Sequence, residues 1–136
     1  MVRQLSVETR GQGLYDITPK VQSFVSDSSV SEGLCTVFVR HTSASLLVQE
    51  NADPAVRRDL DQFFARLVPD GDSLFRHTDE GPDDMPAHVR AALTAVQLSI
   101  PLAHRQLMLG QWQGIYLSEH RLKAHRREVA LHLVGD

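Results

Sequence analysis

Residues 33–51 read GLCTVFVRHTSASLLVQEN. The first part alternates: Cys35, Val37, Val39 and His41 fall on one face, with Leu34, Thr36, Phe38 and Arg40 on the other. That is the period of a β-strand. After the small residues Ser43 and Ala44, SLLVQEN continues in extended form. Two extended stretches therefore follow one another without an intervening helix, and the chain does not cycle regularly between strand and helix.

Working outward, VRQLSVE (2–8) alternates in the same way. Thr18-Pro19 supplies a cap and a first-turn proline for a short helix carrying Val21, Phe24 and Val25. The clearest helix is DPAVRRDLDQFFARLVP (53–69). Asp53 caps it, Val56, Leu60, Phe63 and Leu67 make its expected buried stripe, and Pro69 ends it. A further helical segment places Met85, Val89, Ala92, Leu93 and Val96 in one arc, and RQLMLG (105–110), GIYLSEH (114–120) and REVALHLV (127–134) read as extended. The order β-α-β-β-α-loop-α-β-β-β predicts an α+β fold over residues 1–136. A largely antiparallel or mixed sheet packs with about three helices in a single compact domain.

The totals set limits on function. With 136 residues there is room for one real core. A net charge of −3 offers no general attraction for nucleic acid. The start, MVRQLSVETRGQG, lacks a signal-peptide core, and no apolar run is long enough for a bilayer. The expected address is the cytoplasm, with neither a membrane nor a nucleic acid as partner. A lone Cys35 rules out a disulfide framework and a multi-cysteine metal site, and its place in CTVFV suits a buried structural thiol.

The chemistry gathers in FRHTDEGPDDMPAHVRAAL (75–93). His77 and His88 bracket Asp79, Glu80, Asp83 and Asp84, with Gly81-Pro82 interrupting the run. At about 100° per residue His88 lies about 60° from Met85, on the border of the apolar arc. It points along the seam between helix and sheet. His41 and His120 each end a strand, where rigid elements fix geometry. Three imidazoles with one open position form a recurring catalytic zinc centre, and Glu80, Asp83, Asp84 and Glu119 are available to orient them. The spacing matches no zinc signature, and the competing reading is a solvated acidic turn with surface histidines. Asp84, just before Met85-Pro86, also reads as a helix cap, and Glu80 as a turn residue. His104, His125 and His132 carry no functional reading.

Two other stretches stand out. HTSAS (41–45) offers Thr42, Ser43 and Ser45 as a cradle for an anion's oxygens. QWQGIYLSEHR (111–121) brings Trp112, as core or as a wall for a ring, and Arg121, as an exposed cation or a phosphate grip.

Taken together, HTSAS with EN and DP (41–54), HTDEGPDDMPAH (77–88) and GQWQGIYLSEHR (110–121) resemble the YjbQ family, also labelled secondary thiamine-phosphate synthase. The resemblance spans about residues 3 to 135. It implies an α+β homotrimer with its pocket near the subunit contacts and a metal held by histidines. Carried over by position, His41, His77, His88 and His120 are the candidate ligands, without deciding which three. His120, Glu119, Glu80, Asp83 and Asp84 are candidate catalytic residues. Thr42, Ser43, Ser45, Glu50, Asn51, Trp112, Gln113 and Arg121 are candidate substrate- or phosphate-binding residues. The departures are Arg105 where glycine is common, Gln111 where threonine is usual, and Leu122-Lys123-Ala124-His125 in a glycine-rich turn.

The implied reaction joins hydroxymethylpyrimidine pyrophosphate to thiazole phosphate and expels pyrophosphate, a transferase step. Trp112 or Tyr116 would stack on the pyrimidine, and Arg121, Thr42 and Ser43 would hold phosphate oxygens. Pyrophosphate release normally uses Mg²⁺, whereas clustered imidazoles favour zinc, and no glycine-rich phosphate loop is present. The expectation is thus a divalent metal, zinc rather than magnesium, a small phosphorylated substrate, and a thiamine activity that is secondary. The alternatives are another metal-assisted hydrolase or transferase on a small anionic molecule, or a non-catalytic ligand-binding module.

Overall fold

Along the last strand Arg127, Val129, Leu131 and Leu133 face inward and alternate with exposed or half-buried neighbours. That parity sets the main layer of the computed structural model, which describes residues 1–136. The elements in chain order are β1 (Val2–Glu8), β2 (Gly13–Asp16), α1 (Thr18–Ser26), β3 (Gly33–Val39) and β4 (Ala44–Glu50). They continue with α2 (Pro54–Leu67), α3 (Asp84–Leu93), β5 (Gln97–Ala103), β6 (Gln106–Leu107), β7 (Gln113–Glu119) and β8 (Arg126–Gly135). A five-stranded sheet runs β1-β8-β3-β5-β6 and a three-stranded sheet β2-β7-β4. Every pairing is antiparallel.

The core lies where the two sheets meet α1. Cys35, Val37 and Val39 of β3 and Ile100 and Leu102 of β5 join Val129, Leu131 and Leu133 from one side. Ala44, Leu46, Ile115 and Leu117 come from the smaller sheet, and Val21, Phe24 and Val25 from α1. β7 is buried on both faces: Ile115 and Leu117 enter this core, while Tyr116 and Ser118 point the other way, toward α2 and α3. No helix is long and apolar enough to cross a membrane.

Several expected elements differ. β2 and β5 are strands where none was anticipated. In β5 Leu98, Ile100 and Leu102 do alternate, but Pro101 and continuity with the preceding helix obscure the pattern. The RQLMLG stretch pairs only at Gln106–Leu107. Thr18 is the first residue of α1 and caps nothing with its side chain. Instead its hydroxyl accepts the Ile115 N–H at 2.8 Å. Asp53 does cap α2, accepting from the Ala55 N–H at 2.9 Å. The expected α2 stripe is covered only in part: Val56 and Leu60 are half-buried, while Phe63 and Leu67 are 53% and 54% exposed. On α3 the arc of Met85, Val89, Ala92, Leu93 and Val96 is likewise not the covered face. Asp84, Ala87, Arg90 and Ala91 are buried instead.

Candidate metal centre

The acidic bend is a tight reversal. Gly81 adopts φ 102°, a left-handed conformation that favours glycine, and it delivers Asp83 and Asp84 into the start of α3. Asp83 occupies the cap position without capping. Its Oδ2 accepts from Arg121 Nε and from the Leu122 N–H, both at 3.0 Å. Asp84 is 1% exposed and is not a cap either. Its Oδ1 accepts from Arg121 Nη1 at 2.8 Å, and its Oδ2 lies 2.7 Å from His77 Nε2 and 3.1 Å from His88 Nε2. Burial alone would raise the Asp84 pKa. The hydrogen bond from His77 and the charges of His88 and Arg121 outweigh burial and hold it below the usual carboxylate range.

His88 is oriented from behind. Its Nδ1 donates to the Thr42 carbonyl at 2.9 Å, because that oxygen can only accept. In the neutral ring this leaves the Nε2 lone pair facing Asp84 Oδ2, and in the charged ring Nε2 carries a proton there. Two acceptors tolerate that approach when a cation, a proton or a metal ion, stands between them. Backbone-carbonyl support of the distal ring nitrogen is the usual arrangement around metal-bound histidine. The ligand atoms of His77, Asp84 and His88 all lie within 4.8 Å of one another. Two nitrogens and one oxygen suit zinc, or ferrous iron with positions left open, better than the all-oxygen octahedron of magnesium.

Other expected site residues lie apart from this cluster within one chain. His41 shares a groove of about 290 Å³ with Thr42 and His88. Its Nε2, however, accepts the Glu128 N–H at 2.8 Å, which leaves the ring proton on Nδ1 beside Arg127. His120 is 4% exposed, and its Nε2 bonds Ser45 Oγ at 2.8 Å. Burial, reinforced by the charges of Arg90 and Arg127, pushes its pKa down to about 4. Where three imidazoles were expected, the ligand-type atoms that converge within one chain are those of two imidazoles and one carboxylate.

Ser43 and Glu119 are both engaged by the buried Arg127, with which Glu119 forms an ion pair. Glu119 accepts from Arg127 Nε at 2.8 Å, from its Nη2, and from Thr9 Oγ1 at 2.7 Å. Ser43 Oγ accepts from Arg127 Nη2 at 3.0 Å. Thr42 contributes its carbonyl, not its hydroxyl, to the centre. Glu80 contributes its carbonyl to Arg121 Nη2 at 3.0 Å, and its carboxylate lies 3.7 Å from Nη1. Glu50, Asn51, Trp112 and Gln113 sit at the opposite end of the β4–β7 ladder, where Glu50 faces Gln113 and Ala44 faces Glu119. Six residues of strand put Glu50 and Gln113 about 20 Å from Ala44 and Glu119. There Glu50 accepts the Asp53 N–H at 2.9 Å, Asn51 donates to the Gln113 carbonyl, and Trp112 is exposed.

Two buried cations were not anticipated. Arg127 has the parity of Val129 and Leu131 on β8, so strand alternation alone marks it as inward-facing. Arg90 follows Ala87 by three residues on the covered side of α3 and donates to the Val68 carbonyl at 2.7 Å.

A family model described as "UPF0047 protein YjbQ-like" matches residues 3–136. The chain belongs to this family. Among its YjbQ-like relatives, UPF0047 protein sll1880 of Synechocystis sp. is 53% identical over 132 residues, covering 97% of this chain and 90% of that protein. UPF0047 protein YjbQ of Escherichia coli O157:H7 is 36% identical over 135 residues, covering 98% and 97%. The crystal structure of a conserved hypothetical protein from Thermus thermophilus superposes with TM-score 0.86 at 37% identity, covering 97% of this chain and 99% of that one. A hypothetical protein from Aeropyrum pernix superposes at 0.91 with 28% identity, covering 100% and 99%. The YjbQ-like fold is thus shared over the whole length.

Proposed function

We propose that this chain is a metal-dependent enzyme of small-molecule metabolism whose centre is His77, Asp84 and His88. Thiamine-phosphate synthase activity, which the family resemblance implies, is in this reading a secondary reaction of that centre. The observation that carries it is the convergence of two Nε2 atoms and one buried carboxylate oxygen, with His88 held from behind by the Thr42 carbonyl. The preferred ion is zinc over magnesium. Bound there, it would activate water or polarise a carbonyl or phosphoryl oxygen. Arg121 orients the Asp84 carboxylate, and Thr42 fixes the His88 tautomer.

The working form in this proposal is a cytoplasmic homotrimer. The exposed Phe63 and Leu67 of α2 support the assembly. So does the remoteness of Glu50, Asn51, Trp112 and Gln113, which a neighbouring subunit would bring to the centre. A phosphate-binding cation, if the substrate is phosphorylated, would also come from that neighbour, because Arg121 is engaged within its own chain.

The test is zinc binding and turnover with His88→Ala. The expected result is stoichiometric zinc in the wild-type protein, none in the variant, and loss of turnover with the assembly intact. Pyrophosphate release that requires both half-substrates supports the synthase reaction. Release from the pyrimidine pyrophosphate alone replaces it with a hydrolase. Turnover that survives His88→Ala overturns the assignment of the centre.

A further inference from the structure

The His77 imidazole lines a second feature besides the cluster, a hollow of about 360 Å³. Its walls include Phe75 and Met85, both half-buried, with Pro82 and Pro86 beside them and Ser73 and Thr78 at the polar edge. Phe75 and Met85 offer an aromatic face and a polarisable thioether, a pair suited to a planar ring. No lysine or arginine lines this space.

The surroundings are strongly acidic. Between residues 69 and 88 the chain carries six acids, Asp70, Asp72, Asp79, Glu80, Asp83 and Asp84, against one cation, Arg76. Arg121 reaches this region, but each of its guanidinium nitrogens is taken: Nε by Asp83, Nη1 by Asp84 and Nη2 by the Glu80 carbonyl. Adding Arg121 and a divalent ion still leaves the segment net negative. Field and lining therefore agree in disfavouring an anionic group on this side of the centre.

Resting on the metal-centre reading, we infer that the hollow beside His77 binds the ring portion of the substrate, an aromatic or heteroaromatic ring bearing no negative charge. The ring lies against Phe75 and Met85 and presents an oxygen substituent toward His77, Asp84 and His88. Any phosphate of the same substrate lies outside this hollow.

Three hydroxamic acids separate the contributions, because they share one metal-binding group. Acetohydroxamic acid has no ring, benzohydroxamic acid adds a neutral ring, and 4-carboxybenzohydroxamic acid adds a charge to that ring. Their affinities for the full-length protein with Zn²⁺ are measured by calorimetry. Benzohydroxamic acid is expected to bind at least about tenfold tighter than acetohydroxamic acid, the gain from covering one ring. The carboxylated compound is expected to lose most of that gain. In Phe75→Ala the ring's advantage disappears while acetohydroxamic acid binds as in wild type, which also reports that the variant is folded. A ring that confers no advantage, or a carboxylate tolerated without loss, overturns this inference and leaves the metal centre standing. If acetohydroxamic acid itself shows no zinc-dependent binding, the metal centre fails and the inference fails with it.

Discussion

Nε2 of His77 lies 2.7 Å from Oδ2 of Asp84, and the same oxygen is 3.1 Å from Nε2 of His88. A carboxylate with its other oxygen held by Arg121 and two imidazoles on one atom is an arrangement that a cation completes. Asp84→Asn keeps the shape and removes the charge. It is expected to weaken zinc binding by more than the roughly 10- to 100-fold typical of outer-shell changes. At a free ion concentration 100 times Kd, zinc should stabilise the wild-type fold by about 2.7 kcal/mol. Thermal melts with and without a chelator check this: the chelator should lower Tm of zinc-loaded wild type and leave Asp84→Asn unmoved.

Glu119 presents a different expectation. Its carboxylate is 1% exposed and tied to Arg127, Thr9 and the Arg121 N–H. Removing one partner of a buried ion pair leaves the other charge stranded, at a cost of about 3–5 kcal/mol. Glu119→Gln should therefore lower the unfolding free energy in urea by that amount while zinc affinity of the folded fraction stays unchanged. A stable variant that has lost zinc would make Glu119 part of the centre after all.

Much of this molecule was legible in its sequence, and the misreadings share a cause. Alternation in 33–39 and 127–134 identified β3 and β8 because one face of each meets the core. Helix positions came through as well, through Asp53 and the prolines. What failed was the assumption that the apolar stripe of a helix is its buried face. On α3 the covered residues are Asp84, Ala87, Arg90 and Ala91, since the helix packs over polar side chains of a site. On α2, Phe63 and Leu67 stay exposed because no other element of the chain packs on them. The histidine pair of the bend was visible by residue type. Asp84 was legible as a partner of the histidines and equally as a helix cap; the fold decides between them, placing one carboxylate oxygen 2.7 Å from His77 Nε2 and 3.1 Å from His88 Nε2. His41 and His120 looked equivalent to His77 and His88, and only the fold shows their ring nitrogens engaged by Glu128 and Ser45.

Burial of His120 gives a pH prediction. Its folded pKa of about 4 lies below the ordinary histidine value of 6.5. A depressed pKa leaves stability intact above the unfolded value, and that stability is lost as pH falls toward the folded one. Between pH 6.5 and 4 the unfolded chain takes up a proton that the native ring refuses. The loss over the whole window is about 3 kcal/mol. Urea unfolding across this range should show it, and His120→Asn should flatten that part of the profile. NMR titration of the His120 ring should find it neutral at about pH 5.5, between the two values, and Arg90→Met should move its midpoint upward.

Arg105 stands at φ 65° in the β5–β6 turn, after His104 at φ 53°. The left-handed geometry that glycine would serve is thus kept with a side chain present, at a cost of about 1–2 kcal/mol for each such residue. Compensation comes from the guanidinium. Nη2 donates to the Ser26 carbonyl at 2.9 Å and to the Ser28 carbonyl at 2.8 Å, at and just beyond the C-terminus of α1. There a cation also complements the helix dipole. Arg105→Ala removes those bonds and keeps the strain, so it should destabilise by about 1–3 kcal/mol. Arg105→Gly removes both together and should fall between Ala and wild type in urea midpoint. A glycine variant less stable than the alanine variant would mean that the turn is not strained in solution.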